Sequence, residues 1–230
     1  MSFAEHFIEI PMPDALLAPT FLFRFSTPCI HRKSLWTKRG PQLGEDFRLP
    51  SFGQLEGRPV FGDLRAAWNE GGLVFALRVE GKKQAPWCRE SRLDDSDGLQ
   101  LFIDTRDTHN IHRASRFCHR FIFLPSGGGK RGEEPVAKLL TINRARENPR
   151  SVDDGFLQVR SEKRVNGYLL QARIPAKALT GFDPDESPRL GFSYAVIDRE
   201  LGWQVYSVGP EFPFMEDPSL WGTLELTRDT

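Results

Sequence analysis

Apolar and polar residues alternate with a period of two along most of the chain beyond residue 63, the pattern of half-buried strands. It is plainest over residues 97–104, D-G-L-Q-L-F-I-D. There Leu99, Leu101 and Ile103 point to one side, and Gln100, Phe102 and Asp104 to the other. A second apolar run, residues 117–124, follows a polar connection that holds Asp107, His109 and His112. Residues 64–68 and 73–79 alternate on either side of Asn69-Glu70-Gly71-Gly72, which predicts a hairpin. Residues 156–165 and 168–174 flank Asn166-Gly167, the strongest short hairpin signal. Residues 190–197 and 223–226 complete the set of strands.

Elsewhere the pattern is weaker. Phe21, Phe23 and Phe25 alternate with Leu22, Arg24 and Ser26, predicting a strand that stops at Pro28. Glycine and proline punctuate residues 31–61, which read as loops with at most short strands around Phe47. Residues 126–132, S-G-G-G-K-R-G, read as a turn or mobile loop and lack the spacing of a phosphate-binding Walker loop. Residues 175–179 make the only convincing helical turn. Residues 1–19 carry three prolines and no period, so they read as an N-terminal arm, leaving residues 20–230 as one domain. Many short strands and almost no helix predict an all-β fold: an antiparallel β-sandwich, jelly-roll-like, with one short helical turn.

Charge narrows the partners. The 31 basic and 31 acidic side chains cancel, so no long-range positive field gathers nucleic acid or an anionic membrane. Three cysteines without paired spacing fit a reducing compartment. With neither a signal-like start nor an apolar run long enough to span a bilayer, the expectation is a cytoplasmic protein. The oligomeric state is left open by the sequence.

Among candidate residues, Trp87 stands in a loop with Lys82, Lys83, Arg89 and Arg92, outside any alternating run. It is either a stacking surface for a ligand or a plug for the end of the sandwich. Gln100 either offers its amide to a ligand or faces solvent from the sheet. Trp36, Trp68 and Trp221 read as core or hairpin residues, and Trp203 fits either role. Asp104, Asp107, His109 and His112, with His119 nearby, carry the donor chemistry of a metal site. The same carboxylates serve equally as turn anchors that accept backbone N–H groups. For catalysis the chain has no nucleophile elbow, no class-defining pair of carboxylates and no cysteine set with a histidine at a helix start, so no enzyme is expected.

The order of motifs resembles the family 9 carbohydrate-binding modules and the wider group of DOMON-like β-sandwiches. Four pieces carry the likeness. Residues 67–75, A-W-N-E-G-G-L-V-F, are similar to the family's W-D-E-x-x-L-Y-V hairpin, and residues 97–104 to its D-S-V-E-I-F-I-D strand. Residues 167–175, G-Y-L-L-Q-A-R-I-P, are similar to G-Y-x-x-E-x-x-I-P. Residues 190–198 and 217–222 are similar to I-G-F-N-x-x-V-N-D and D-P-S-x-F-G. The resemblance implies a non-catalytic cleft for a saccharide or other small polar molecule, with two stacking aromatics and polar partners. Trp87 takes the first stacking position, Met215 with Phe214 beside it the second, Gln100 the place of the family's carboxylate, and Arg120 a polar place on the next strand. Ile122 and Leu124 stand where the family has further polar groups. Some relatives hold a structural calcium, for which Asp104, Asp107 and Asp198 are candidates here. Others carry haem on a methionine and a histidine, for which Met215 and His119 would serve; a protein-interaction surface is the third alternative.

Overall fold

The structure is a computed structural model and describes residues 19–228; residues 1–18 of the expected arm lie outside the described residues. Among the described residues eleven strands form one continuous sheet: β1 (Ser26–His31), β2 (Gly62–Asn69), β3 (Gly72–Glu80), β4 (Gly98–Asp104), β5 (Cys118–Gly128), β6 (Glu134–Leu140), β7 (Gln158–Arg164), β8 (Gly167–Pro175), β9 (Arg189–Asp198), β10 (Gly202–Val205) and β11 (Gly222–Thr227). The order is β6-β5-β4-β9-β11-β1-β2-β3-β8-β7, with β10 added on β9. The sheet folds over until β6 and β7 approach each other, giving an all-β sandwich that is nearly closed. Its interior holds Leu99, Leu101 and Ile103 of β4 against Leu73, Phe75 and Leu77 of β3, so the alternation seen in the sequence marks the inner face.

The predicted hairpins form in register, Asn69 against Gly72 for β2–β3 and Arg164 against Gly167 for β7–β8. Gly72 has φ +126°, and a Cβ there would lie 2.1 Å from the Ile174 carbonyl oxygen. Gly72→Ala should therefore cost about 2 kcal/mol, read as a shifted midpoint in urea unfolding. An unshifted midpoint would show that this turn can relax.

Several expectations change. The Phe21–Phe25 run is not a strand: Phe21 stacks on Phe212 (4.8 Å) and Phe25 on Phe52 (4.0 Å), Phe23 is exposed, and residues Pro19–Leu22 form a helical turn. Strand β1 starts at Ser26 and runs through Pro28, beside β11. It pairs with β2 only at Ile30 and His31, so on that side Pro28 has no ladder bond to lose. Both β1 pairings are parallel, the exception to an otherwise antiparallel sheet. Phe47 lies in a 3₁₀ turn, Glu45–Phe47, and a second, Phe52–Glu56, follows; further single turns join the one predicted near residue 176. The glycine run is partly strand: β5 extends to Gly128 through an irregularity after Leu124 and turns into β6, which the sequence did not suggest.

Candidate functional site

The outer face of β4, β5 and β9 is where the polar chemistry collects. Period-2 geometry turns Gln100 and Phe102 outward from β4, and the register sets Ile122 and Arg120 beside them on β5 and Ala195 and Ser193 on β9. Loops cover this face, so Gln100 is buried at 1% exposure rather than solvated. The Gln100 Oε1 accepts two hydrogen bonds from Arg120, from Nε (3.3 Å) and Nη2 (2.8 Å). Arg120 in turn pairs with Asp94 and lies 5.8 Å from the Phe102 ring centroid. Among the described residues two polar atoms on this face find no partner, Gln100 Nε2 and Ser193 Oγ. Arg120 and Asp94 also line an open groove of about 330 Å³ with Ser91, Leu93, Leu140 and Thr141.

Trp87 stands in the loop ahead of Gly98 and β4, and Asp97 holds it there. The Asp97 carboxylate, 1% exposed, accepts the Trp87 N–H at Oδ2 (3.0 Å) and the Arg199 N–H at Oδ1 (2.9 Å). Its own N–H donates to the Trp87 carbonyl (2.9 Å). One buried carboxylate thus clamps the loop before β4 to the turn after β9, and the clamp brings the Arg199 guanidinium to 4.1 Å from the indole centroid. Lys82 neutralises the clamp. Its ammonium is buried and donates to Asp97 (3.1 Å) and to Asp198, with Glu200 at 3.8 Å. Burial works to lower the Lys82 pKa, but the hydrogen bonds and charges of Asp198 and Asp97 outweigh it and hold the value above normal.

The other candidates separate. Phe214 is fully buried, edge-on to Phe102 (5.6 Å), with its carbonyl accepting the Trp221 indole N–H (2.7 Å); it is core and offers no face to a ligand. Met215 is half-buried against the same cluster, as is Trp203, which the register places opposite Ile197 on this face. Trp203 was undecided in the sequence because a four-residue edge strand shows too little alternation to orient it. Arg199 was missed for another reason: only the fold brings it to Trp87.

The expected metal residues are spent on other bonds. Asp104 accepts the N–H groups of Arg106 (3.0 Å) and Thr108 (2.8 Å), anchoring the turn. Burial raises its pKa, with those two bonds acting in the opposite direction. Asp107 bonds Thr223 (2.9 Å) and Arg189 (3.0 Å), and its Oδ1 lies 2.9 Å from His109 Nε2. His112 lies apart, against Asp217 and Ser219. Asp198 is at the far end of the β4–β9 ladder from Asp104, about 20 Å away at 3.3 Å per residue. Among the described residues no three His, Cys, Asp or Glu side chains converge to hold a metal, so this donor set does not fit a structural calcium. Haem fits no better. His119 faces the interior from β5 beside Ile103, whereas Met215 packs on the outer face, so the two cannot ligate one iron.

The Asp107–His109–Thr223 group has the residue types of a hydrolytic triad without its geometry. Both partners meet the same ring nitrogen, Nε2, at 2.9 and 3.2 Å, and Thr223 is fully buried. A larger groove of about 700 Å³, between Phe52, Leu55 and Gln204, offers no free polar group from Gln204 or Ser51. Gln204 is spent on Phe61 N–H and on both backbone groups of Gly62, and Ser51 on the Val205 carbonyl. Among the described residues no helix is long and apolar enough to cross a membrane.

No family model and no curated protein sequence matches the chain. Solved structures do. A family 9 carbohydrate-binding module from Caldicellulosiruptor kristjanssonii in complex with cellotriose superposes with TM-score 0.59 at 10% identity, covering 90% of this chain and 95% of that one. A family 9 module from the same organism in complex with glucose gives TM-score 0.57 at 11% identity, covering 90% and 97%. Agreement over nine-tenths of the chain establishes that this protein has the fold of the family 9 carbohydrate-binding modules.

Proposed function

We propose that the protein is a non-catalytic saccharide-binding module whose site is the outer face between Trp87 and Arg120. The observation that carries this reading is the Gln100–Arg120 pair. A buried amide keeps one donor, Nε2, without a partner, two residues along β4 from Gly98, whose neighbour Asp97 holds the Trp87 backbone. Leaving a buried donor unpaired costs about 1–3 kcal/mol, which a ligand hydroxyl would recover. The way to it runs past the Arg120–Asp94 ion pair, and Asp94 is largely exposed, so opening that pair costs little. Trp87, half-buried, supplies the apolar surface for the C–H face of a sugar ring, and Trp203 and Met215 bound the face from β10 and the 214–216 segment. The two neighbours, whose bound cellotriose and glucose are neutral sugars, support the reading by fold.

Calorimetry with mono- and oligosaccharides should show micromolar to millimolar binding, about −4 to −8 kcal/mol. Trp87→Ala should abolish it, and Gln100→Ala should weaken it without loss of the folded spectrum. Binding that survives Trp87→Ala unchanged, or no binding to any sugar at millimolar concentration, would refute the site.

A further inference from the structure

We infer that the saccharide taken at Trp87 is acidic, carrying a uronate carboxylate that pairs with Arg199 and Arg89. This rests on the saccharide reading above and narrows its ligand class. Three guanidinium carbons surround one indole, Arg199 at 4.1 Å, Arg89 at 5.2 Å and Arg92 at 5.9 Å from its centroid. All three side chains are exposed. Cation–π attraction holds each to the ring but does nothing to relieve their mutual repulsion.

The carboxylates nearby are already committed. Asp97 and Asp198 are buried under Lys82. Glu200 accepts the N–H groups of Lys83 and Gln84 (2.9 and 3.1 Å). Asp95 pairs with Arg92, Asp94 with Arg120, and Glu90 with Lys138. Among the described residues Arg89 and Arg199 have no carboxylate partner, so a chain of zero net charge concentrates two free positive charges at its best stacking surface. A neutral sugar has no use for them. A pyranose with a carboxylate at C6 does, because the ring stacks on the indole while the planar guanidinium takes both carboxylate oxygens.

The test is calorimetry on the full chain at low salt with oligomers of galacturonate, glucuronate and mannuronate, each against the neutral oligomer of the same sugar. At least one uronate should bind about tenfold more tightly than its neutral counterpart, and the preference should shrink severalfold in half-molar salt. Arg199→Gln should lower uronate affinity about tenfold, and Arg89→Gln with Arg199→Gln should remove the preference. Neutral oligomers that bind as well as uronates would overturn the acidic specificity and leave the saccharide reading standing. Uronate preference retained by the double variant would overturn the assignment to these arginines. No binding by any oligomer would overturn both.

Discussion

Lys82→Met should destabilise the protein by about 3–5 kcal/mol, the cost of stranding buried charges when one partner of a buried ion pair is removed. Methionine fills much the same volume, but it leaves the Asp97 and Asp198 carboxylates, both almost fully buried, without their counter-ion. The loss should be read from denaturant unfolding, and adding Asp198→Asn to Lys82→Met should recover part of it by removing one stranded charge. A loss under about 1 kcal/mol would show that the carboxylates are neutralised in some other way. The same ion cluster sets an alkaline limit. Because the folded pKa of Lys82 lies above its ordinary 10.5, its stabilisation is complete below that pH and fades as pH rises through the folded value. Since Asp97 positions both Trp87 and Arg199, the variant should also weaken the saccharide binding proposed above beyond what the loss of folded protein explains.

The alternation of β4 was legible because side-chain period and burial coincide: Leu99, Leu101 and Ile103 face the main core and Phe102 the smaller outer cluster. The β2–β3 and β7–β8 hairpins were legible for the same reason, with turn residues to confirm them. What failed was context. Phe21, Phe23 and Phe25 obey strand periodicity, yet the Phe21 and Phe25 rings dock outside the sheet while Phe23 is exposed, and nothing local distinguishes that from a sheet face. Pro28 read as a stop because the sequence does not say that β1 lacks a partner on its β2 side at that point.

The site divides in the same way. Gln100 and Arg120 could be placed on adjacent strands, but alternation tells only which face a residue takes and not what covers it, so the burial of Gln100 was invisible. Asp104, Asp107, His109 and His112 are close in sequence, which suggested shared coordination. The turn spends them one at a time instead, on backbone N–H groups, Thr223, Arg189 and Asp217. The clamp of Lys82, Asp97 and Asp198 joins segments far apart in the chain, and no local pattern announces such a meeting.

His119 should make the protein lose about 3 kcal/mol of stability as pH falls from about 6.5 to about 4, the linkage value of its shift. Burial drives the pKa from 6.5 down to about 4, with backbone contacts to Ile103 and Phe117 opposing. The tautomer explains why the ring resists a proton. Thr180 N–H donates to Nε2 (2.9 Å), so Nε2 must keep its lone pair and the hydrogen is on Nδ1, facing the Ile103 carbonyl (3.3 Å). Protonation would set Nε2–H against Thr180 N–H inside the core. In the unfolded chain the ring takes its proton near 6.5, so between the two values the unfolded state binds more protons and stability falls with pH. Asp104 acts in the opposite sense, because its raised pKa adds stability as pH falls through the folded value. A variant separates the two. His119→Gln keeps an acceptor for Thr180 and does not titrate, so the difference in unfolding free energy between wild type and variant should change by about 3 kcal/mol across this window. A difference that stays constant with pH would show that His119 is not the group responsible.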